Sequence, residues 1–369
     1  MGFEISLSRF FDSRKGEDDK RSDEESRPKK PRSFMHLDNL IHRGEKEILL
    51  DADIVLDEYE QSDYIEGIGL DVDDIVIDAR GHSIDACGKV RIFNCTGKNI
   101  EIRNMDLKNG YAEGHGGAIL NSGDLTIRSS SIASSKADNN GGAIFNKGKM
   151  IIEDTYIIEN KAVRSGGAIL NSDGDMDISH SEFRFNIAEE WGGAIYNSGE
   201  LNISDSILNE NISHYRGGAI FNYVNGLRIV NSIISSNNAV GAGSFTTGGG
   251  AIFNYRGDLT IEGSTLEDNM AIAYSDKNTG GGAVSNSGKL SIMGSELKDN
   301  QSIYGGGAVS NGGELNISDS KFIGNNGHGN GGAILCTDKE KVKLDNCTFE
   351  NNDGEDLYED SDNLWKSFI

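Results

Sequence analysis

The sequence predicts an all-β chain, a right-handed parallel β-helix (solenoid) of about 11–12 coils with a short N-terminal capping helix. First, Gly-Ala-(Ile/Val)-x-Asn or a near copy recurs nine times. Its alanine falls at Ala118, Ala143, Ala168, Ala194, Ala219, Ala251, Ala283, Ala308 and Ala333, in steps of 25, 25, 26, 25, 32, 32, 25 and 25 residues. A fixed period of that size is the signature of a solenoid. Second, an apolar-x-apolar doublet keeps the same step, from Leu125/Ile127 to Val342/Leu344, and eight of the nine residues inside these doublets are polar or charged. That is the period-two alternation of a strand with one buried wall. Third, a Gly pair plus Asn and Ser recur in every repeat, too often for a helical stripe.

The elements follow in order. Residues 1–32 read as a disordered charged leader, because Gly16 to Arg32 contain no aliphatic or aromatic residue and cannot offset their ordering entropy by burial. Phe3, Leu7, Phe10 and Phe11 would share one helical face. A weak N-terminal membrane contact is one reading of that face, and a short frayed or docked segment is the preferred one. No signal-peptide pattern is expected there. Residues 33–44 predict a capping helix: Ser33 as N-cap, Phe34, Leu37, Leu40 and Ile41 on one face, and Gly44 as the stop. Residues 45–352 form the β-helix, and 353–369 a C-terminal cap or tail.

Each repeat offers three strands: Ala-Ile-x-Asn, the doublet, and Ser-x-apolar-x-x-Asn. Each is too short to stand alone and would pair in parallel with its copy in the next coil, about 4.8 Å away. Like residues then stack, with Ile on Ile inside and Asn146, Asn171, Asn197 and Asn222 in a row at a bend. The Gly pair permits a tight corner, and the crossover rule sets the right hand.

Composition narrows the function classes. With 48 Gly and 2 Pro, the chain is neither collagen nor a Pro-rich linker. A net charge of −24 argues against nucleic acid as a partner. No apolar run is long enough for a transmembrane segment. Cys87, Cys95, Cys336 and Cys347 make no CxxC pair, so reduced thiols are expected, with a 336–347 disulfide as the alternative. His115, His214 and His328 share one turn but sit coils apart, so no metal site is expected. No cofactor fingerprint is present.

Two features rise above the repeat. The 32-residue steps place six extra residues at the same corner of successive coils, Ala239–Thr247 and Ala271–Thr279. These loops would protrude side by side and carry Phe245, Tyr274, Asp276 and Lys277 as candidate binding residues. The second feature is the residue after each Ile/Val: Leu120, Phe145, Leu170, Tyr196, Phe221, Phe253, Ser285, Ser310 and Leu335. With Ile inward, the favoured parity, this column faces out as an apolar-aromatic stripe, and Tyr196, Phe221 and Phe253 become candidate ligand contacts. With the opposite parity it is core.

Catalytic constellations are weaker. Asp175 and Glu200 would stack as neighbours, but their column also holds Lys149, Lys289 and Lys341 and reads as a solvated turn. Asp268 and Asp299 stack likewise, too sparsely for a calcium cage.

GGAILN, GGAIFN, GGAIYN and GGAVSN resemble the repeat of the chlamydial polymorphic outer-membrane proteins. Ile77-Asp78-Ala79-Arg80-Gly81-His82-Ser83-Ile84-Asp85, with Arg91-Ile92-Phe93 and Lys108-Asn109-Gly110, resembles the adhesin-like β-helix proteins of methanogenic archaea. The resemblance covers about residues 45–352 and implies adhesion or envelope roles. The expected function is a non-catalytic, adhesin-like scaffold binding a glycan or protein at an outer face. The alternative is a polysaccharide-active lyase or hydrolase on the same fold. The resemblance implies the cell surface; the expected lack of a signal implies the cytoplasm.

Overall fold

The computed structural model describes residues 29–241, 248–273, 280–328 and 331–360. From Pro31 onward the chain is one compact unit, a parallel β-solenoid of three twelve-stranded sheets and one eight-stranded sheet. The first sheet holds the doublets, from Glu47–Leu49 to Val342–Asp345. The second holds the Ala-Ile-x-Asn strands, from Ile68–Leu70 to Leu357–Glu359, and the third runs from Ile54–Val55 to Thr348–Glu350. Every coil repeats the register of the one before, as in Ile144↔Ile169, Phe145↔Leu170 and Asn146↔Asn171. The solenoid therefore continues past the expected boundary at residue 352. Leu357–Glu359 pairs with Ile334–Cys336 although it carries neither the Gly pair nor the Asn that marks earlier copies.

The fourth sheet is an addition to the three expected strands. Its strands run from Tyr111–Ala112 to Gln301–Ser302, most of them two residues long. Their inward column is small: Ala112, Ala137, Ala162, Ala188, Ser213, Ala239, Ala271 and Ser302, all buried. Two residues are too few to show an alternation. The first part of each six-residue insertion is also strand rather than loop, because Asn238–Gly241 pairs with Met270–Ala273 over four residues.

Ile, Leu, Val and Phe from the three large sheets fill one continuous core, which the helix Phe34–Ile41 joins through Phe34, Leu37 and Ile41. Ser33 caps this helix, accepting from the His36 N–H at 3.4 Å. Glu60 adds a bond from the Phe34 N–H at 3.1 Å. In the final coil Val342, Phe349 and Leu357 are only partly buried against the core, and residues 361–369 lie outside the described residues.

The corners are held by side-chain rows. Asn121, Asn146, Asn171, Asn197, Asn222, Asn254, Asn286 and Asn311 form one row, each Nδ2 donating to the next Oδ1 at 2.7–2.9 Å. A second row runs from Asn160 to Asn352 at another corner, with each Oδ1 also accepting the preceding coil's backbone N–H, as Asn211 does from Asn186 at 3.1 Å. A hydroxyl row follows the same logic: Ser206 Oγ accepts from the Ser181 N–H at 3.1 Å and donates to the Ser204 carbonyl at 2.6 Å. Each glycine of the pair has its own reason. Gly192 sits at φ 64°, which glycine adopts without steric cost. A Cβ on Gly193 would lie 2.0 Å from the Gly218 carbonyl oxygen, so only glycine lets the coils approach.

All four cysteines are free. Burial pushes the Cys95 thiol up to about 12.

Two substitutions separate satisfied from unsatisfied corners. Asn197 is fully buried and bonds Asn222, Gly199 and Asn171. Asn197→Ala is expected to cost about 2–3 kcal/mol in denaturant unfolding, because its partners stay buried and unpaired. Ser213 Oγ is the one buried side-chain polar atom without a partner among the described residues. Ser213→Ala is therefore expected to be neutral or to stabilise by up to about 1 kcal/mol in the same measurement.

Candidate binding face

The second sheet decides the parity. Ile119, Ile144, Ile169, Ile195, Ile220 and Ile252 belong to the main core, so the following residue in each strand faces away from it. Phe221 and Phe253 form a separate small cluster with Trp191, Tyr196 and Tyr255. The outward direction was legible in the sequence, but the expected exposure is not observed. Phe145, Leu170, Phe221, Phe253, Ser285, Ser310 and Leu335 are all buried, and only Leu120 and Tyr196 are half-buried.

What buries this column is the residue just before the Gly pair of the preceding coil. His115 stacks on Phe145 at 4.5 Å between ring centroids. Trp191 stacks on Phe221 at 5.5 Å, and the Arg216 guanidinium lies 4.9 Å over the Phe253 ring. In one coil the cover position holds Gly248 and the residue beneath it is Ser285. A Cβ on Gly248 would stand 2.5 Å from Ser285 Oγ. The buried serines are satisfied locally: Ser285 Oγ accepts from the Gly281 N–H at 3.0 Å and Ser310 Oγ from the Gly306 N–H at 2.9 Å. The stripe is thus a second, outer core under the corner. Phe221 and Phe253, 3% and 0% exposed, are withdrawn as ligand contacts.

Burial shows in the titration of this cluster. It lowers Arg216 to about 10, still a cation at neutral pH. It raises Tyr196 to about 12, with help from Tyr223 and Glu190. His115 is pushed down by burial and then by Lys147, Arg91 and Arg164.

The surface that remains available lies two residues on. The position after the corner Asn is Ser122, Lys147, Ser172, Ser198, Tyr223, Tyr255, Ser287 and Gly312 in successive coils. Tyr223 is 40% exposed. It stacks on Tyr255 at 5.4 Å and 14° and on Tyr196 at 6.5 Å. Arg256 lies 5.1 Å over the Tyr255 ring, and Val224 is exposed beside Tyr223. Sequence reasoning missed this pair because it looked for aromatics one column earlier. The signal was present as two consecutive tyrosines in a column of small and polar residues. Rings stacked along the coil axis turn their edges and hydroxyls to solvent, so this face offers hydrogen bonds and ring edges more than open ring faces.

The other candidates are placed as follows. Phe245, Tyr274, Asp276 and Lys277 lie outside the described residues. Asp175 and Glu200 are register partners on exposed strand starts. Asp268 and Asp299 occupy equivalent left-handed turn positions, both at φ 54°. Burial, followed by the charges of Asp299 and Glu267, raises Asp268 above the usual carboxylate range, and Lys298 pairs with Glu267 at 2.6 Å. Among the described residues, no group of three or more His, Cys, Asp or Glu is placed to hold a metal ion. No helix of the described residues is long and apolar enough to cross a membrane.

Phe253→Ala is expected to destabilise the fold by about 3–5 kcal/mol, whereas Tyr223→Ala should change it by less than about 1 kcal/mol; denaturant unfolding of the two variants checks the division between outer core and free face. Tyr196 adds a pH test. Its folded pKa lies above the unfolded value of about 10, so its contribution is complete below pH 10 and is lost as pH rises from there through about 12. Tyr196→Phe is expected to move the alkaline loss of stability to higher pH, read from melting temperatures across that window.

No family model matches the sequence, and no curated protein matches it. Among solved structures, the chain is similar to the tailspike protein mutant E372Q of E. coli bacteriophage HK620 in complex with pentasaccharide. The TM-score is 0.36 at 10% identity, over 84% of this chain and 68% of that one.

Proposed function

We propose that this chain is a rigid, non-catalytic binding scaffold, adhesin-like in presenting a fixed outer face to a glycan or protein. The face is the corner carrying Tyr196, Tyr223, Val224, Tyr255 and Arg256. The observation that carries the reading is the stacked Tyr223–Tyr255 pair, in which Tyr223 is exposed and Tyr255 half-buried. It sits outside the main core on a scaffold whose equivalent positions need only small or polar residues. Tyrosine and arginine are the residues through which interfaces gain most of their affinity. Here they are held by stacking on coils that are themselves fixed, so little side-chain freedom is lost on binding. The repeat resemblance to surface adhesins agrees with this use.

A second reading rests on Asp268. A carboxyl raised by burial beside the Asp299 charge, one coil away, fits the acid–base pair of a polysaccharide-active enzyme.

Glycan and protein arrays probed with the native chain and with a Tyr223→Ala variant test the first reading. The expected result is a ligand whose signal falls at least tenfold in the variant at unchanged melting temperature. Undiminished binding overturns the assignment of this face. Cleavage of a polysaccharide by the native chain, abolished in Asp268→Asn, would establish the second reading.

A further inference from the structure

The turn between the third and fourth sheets holds one residue per coil in the left-handed region. In ten successive coils it is Asn109, Ser134, Glu159, Phe185, Glu210, Ser236, Asp268, Asp299, Gly324 and Asn351, all with φ between 53° and 63°. Nine are polar or glycine. Asparagine, aspartate and glycine tolerate this conformation, whereas a bulky aromatic there is an outlier. Phe185 is that outlier, at φ 56°. It gains little burial in return, since it is 41% exposed. Strain and an exposed aromatic at one position, with little burial gained in return, point to a use outside the fold.

The surroundings suit an anchor. The Arg184 guanidinium lies 4.4 Å over the Phe185 ring and is held by Glu210 Oε2 at 3.1 and 3.2 Å. Ile187 and its register partner Ile212 stand half-buried on the outer side of the fourth sheet next to this turn. Glu159 and Glu210 occupy the same turn position one coil before and after; Glu210 is paired with Arg184, so the rim's acidic charge comes from Glu159 and Glu182. Glu182, three residues earlier, is half-buried on the same outer wall and is raised by desolvation.

We infer that Phe185, with Arg184, Ile187 and Ile212, is the anchor of a second docking site, whose occupant is a cationic protein segment presenting an aliphatic side chain to the ring. The aromatic–arginine centre supplies the hot spot. The glutamate rim on a chain of net charge −24 selects a basic partner and steers its approach. The site is on a different corner from the tyrosine face and does not depend on it.

The experiment uses the full chain with a twelve-residue peptide of alternating lysine and leucine, and a lysine–serine peptide of equal charge, in isothermal titration. The native chain is expected to bind the leucine peptide at least tenfold more tightly than the serine peptide. Phe185→Asn is expected to bind both alike and to melt at a higher temperature, because asparagine relieves the turn. Phe185→Trp should keep the preference. The inference is overturned if Phe185→Asn retains the preference, or if it melts at a lower temperature, which would make Phe185 a structural residue. Sedimentation of the native chain as a dimer that Phe185→Asn dissolves would also overturn it, giving the site to a second copy.

Discussion

Every coil must satisfy its corner backbone at a spacing fixed by its neighbours, and the rest of the structure depends on that constraint. Strands meet it through their ladders. Corners cannot, because the chain turns there and its polar groups are buried, and an unpaired buried amide costs as much as a lost hydrogen bond. The asparagine rows and the serine–threonine row solve the problem with side chains whose donors and acceptors fit one coil spacing. Each accepts from one coil and donates to another. The left-handed turn residues and the Gly pair are the backbone side of the same solution. One aims the chain around the bend, and the other lets consecutive coils come close enough for the rows to connect.

This arrangement spends most of the sequence on architecture, including parts of it that look functional. The aromatic column of the second sheet is a case: its rings are pressed beneath the residue that precedes the Gly pair of the preceding coil. The pairing of cover and column runs from His115 on Phe145 through Trp191 on Phe221 to Gly248 against Ser285. Residues with no such partner are the ones left for a ligand. Tyr223 and Tyr255 break a column of small side chains, and Phe185 breaks a column of turn formers. In both places the fold would be served at least as well by the residues found in other coils.

The architecture was legible because a solenoid writes its contacts as periods. The inward isoleucines, the three large sheets, the first asparagine row and the helix with its Ser33 cap all follow from spacing. The fourth sheet was not legible, because two-residue strands with alanine inward carry no alternation. Nor was the burial of Phe221 and Phe253. Their covers, Trp191 and Arg216, lie about a full coil earlier in sequence, and only the path of the corner brings them overhead. Phe185 was visible as an aromatic in a polar column, yet its significance required the backbone angle, which no residue pattern reports. Phe245, Tyr274, Asp276 and Lys277 fall where the described residues do not reach.

The asparagine rows have one more property. In both, every amide points the same way, its NH2 toward the C-terminal coils and its carbonyl oxygen toward the N-terminal ones. Reversing one amide would break the bonds on either side of it, so each row keeps a single polarity along its length. The strands of a sheet carry little net dipole, whereas these two rows add in parallel. Each row is therefore a chain of aligned amide dipoles, with its carbonyl end toward the capping helix and its NH2 end toward the last coil. A direction set in one coil is passed to every coil that follows, despite the nearly uniform repeat between.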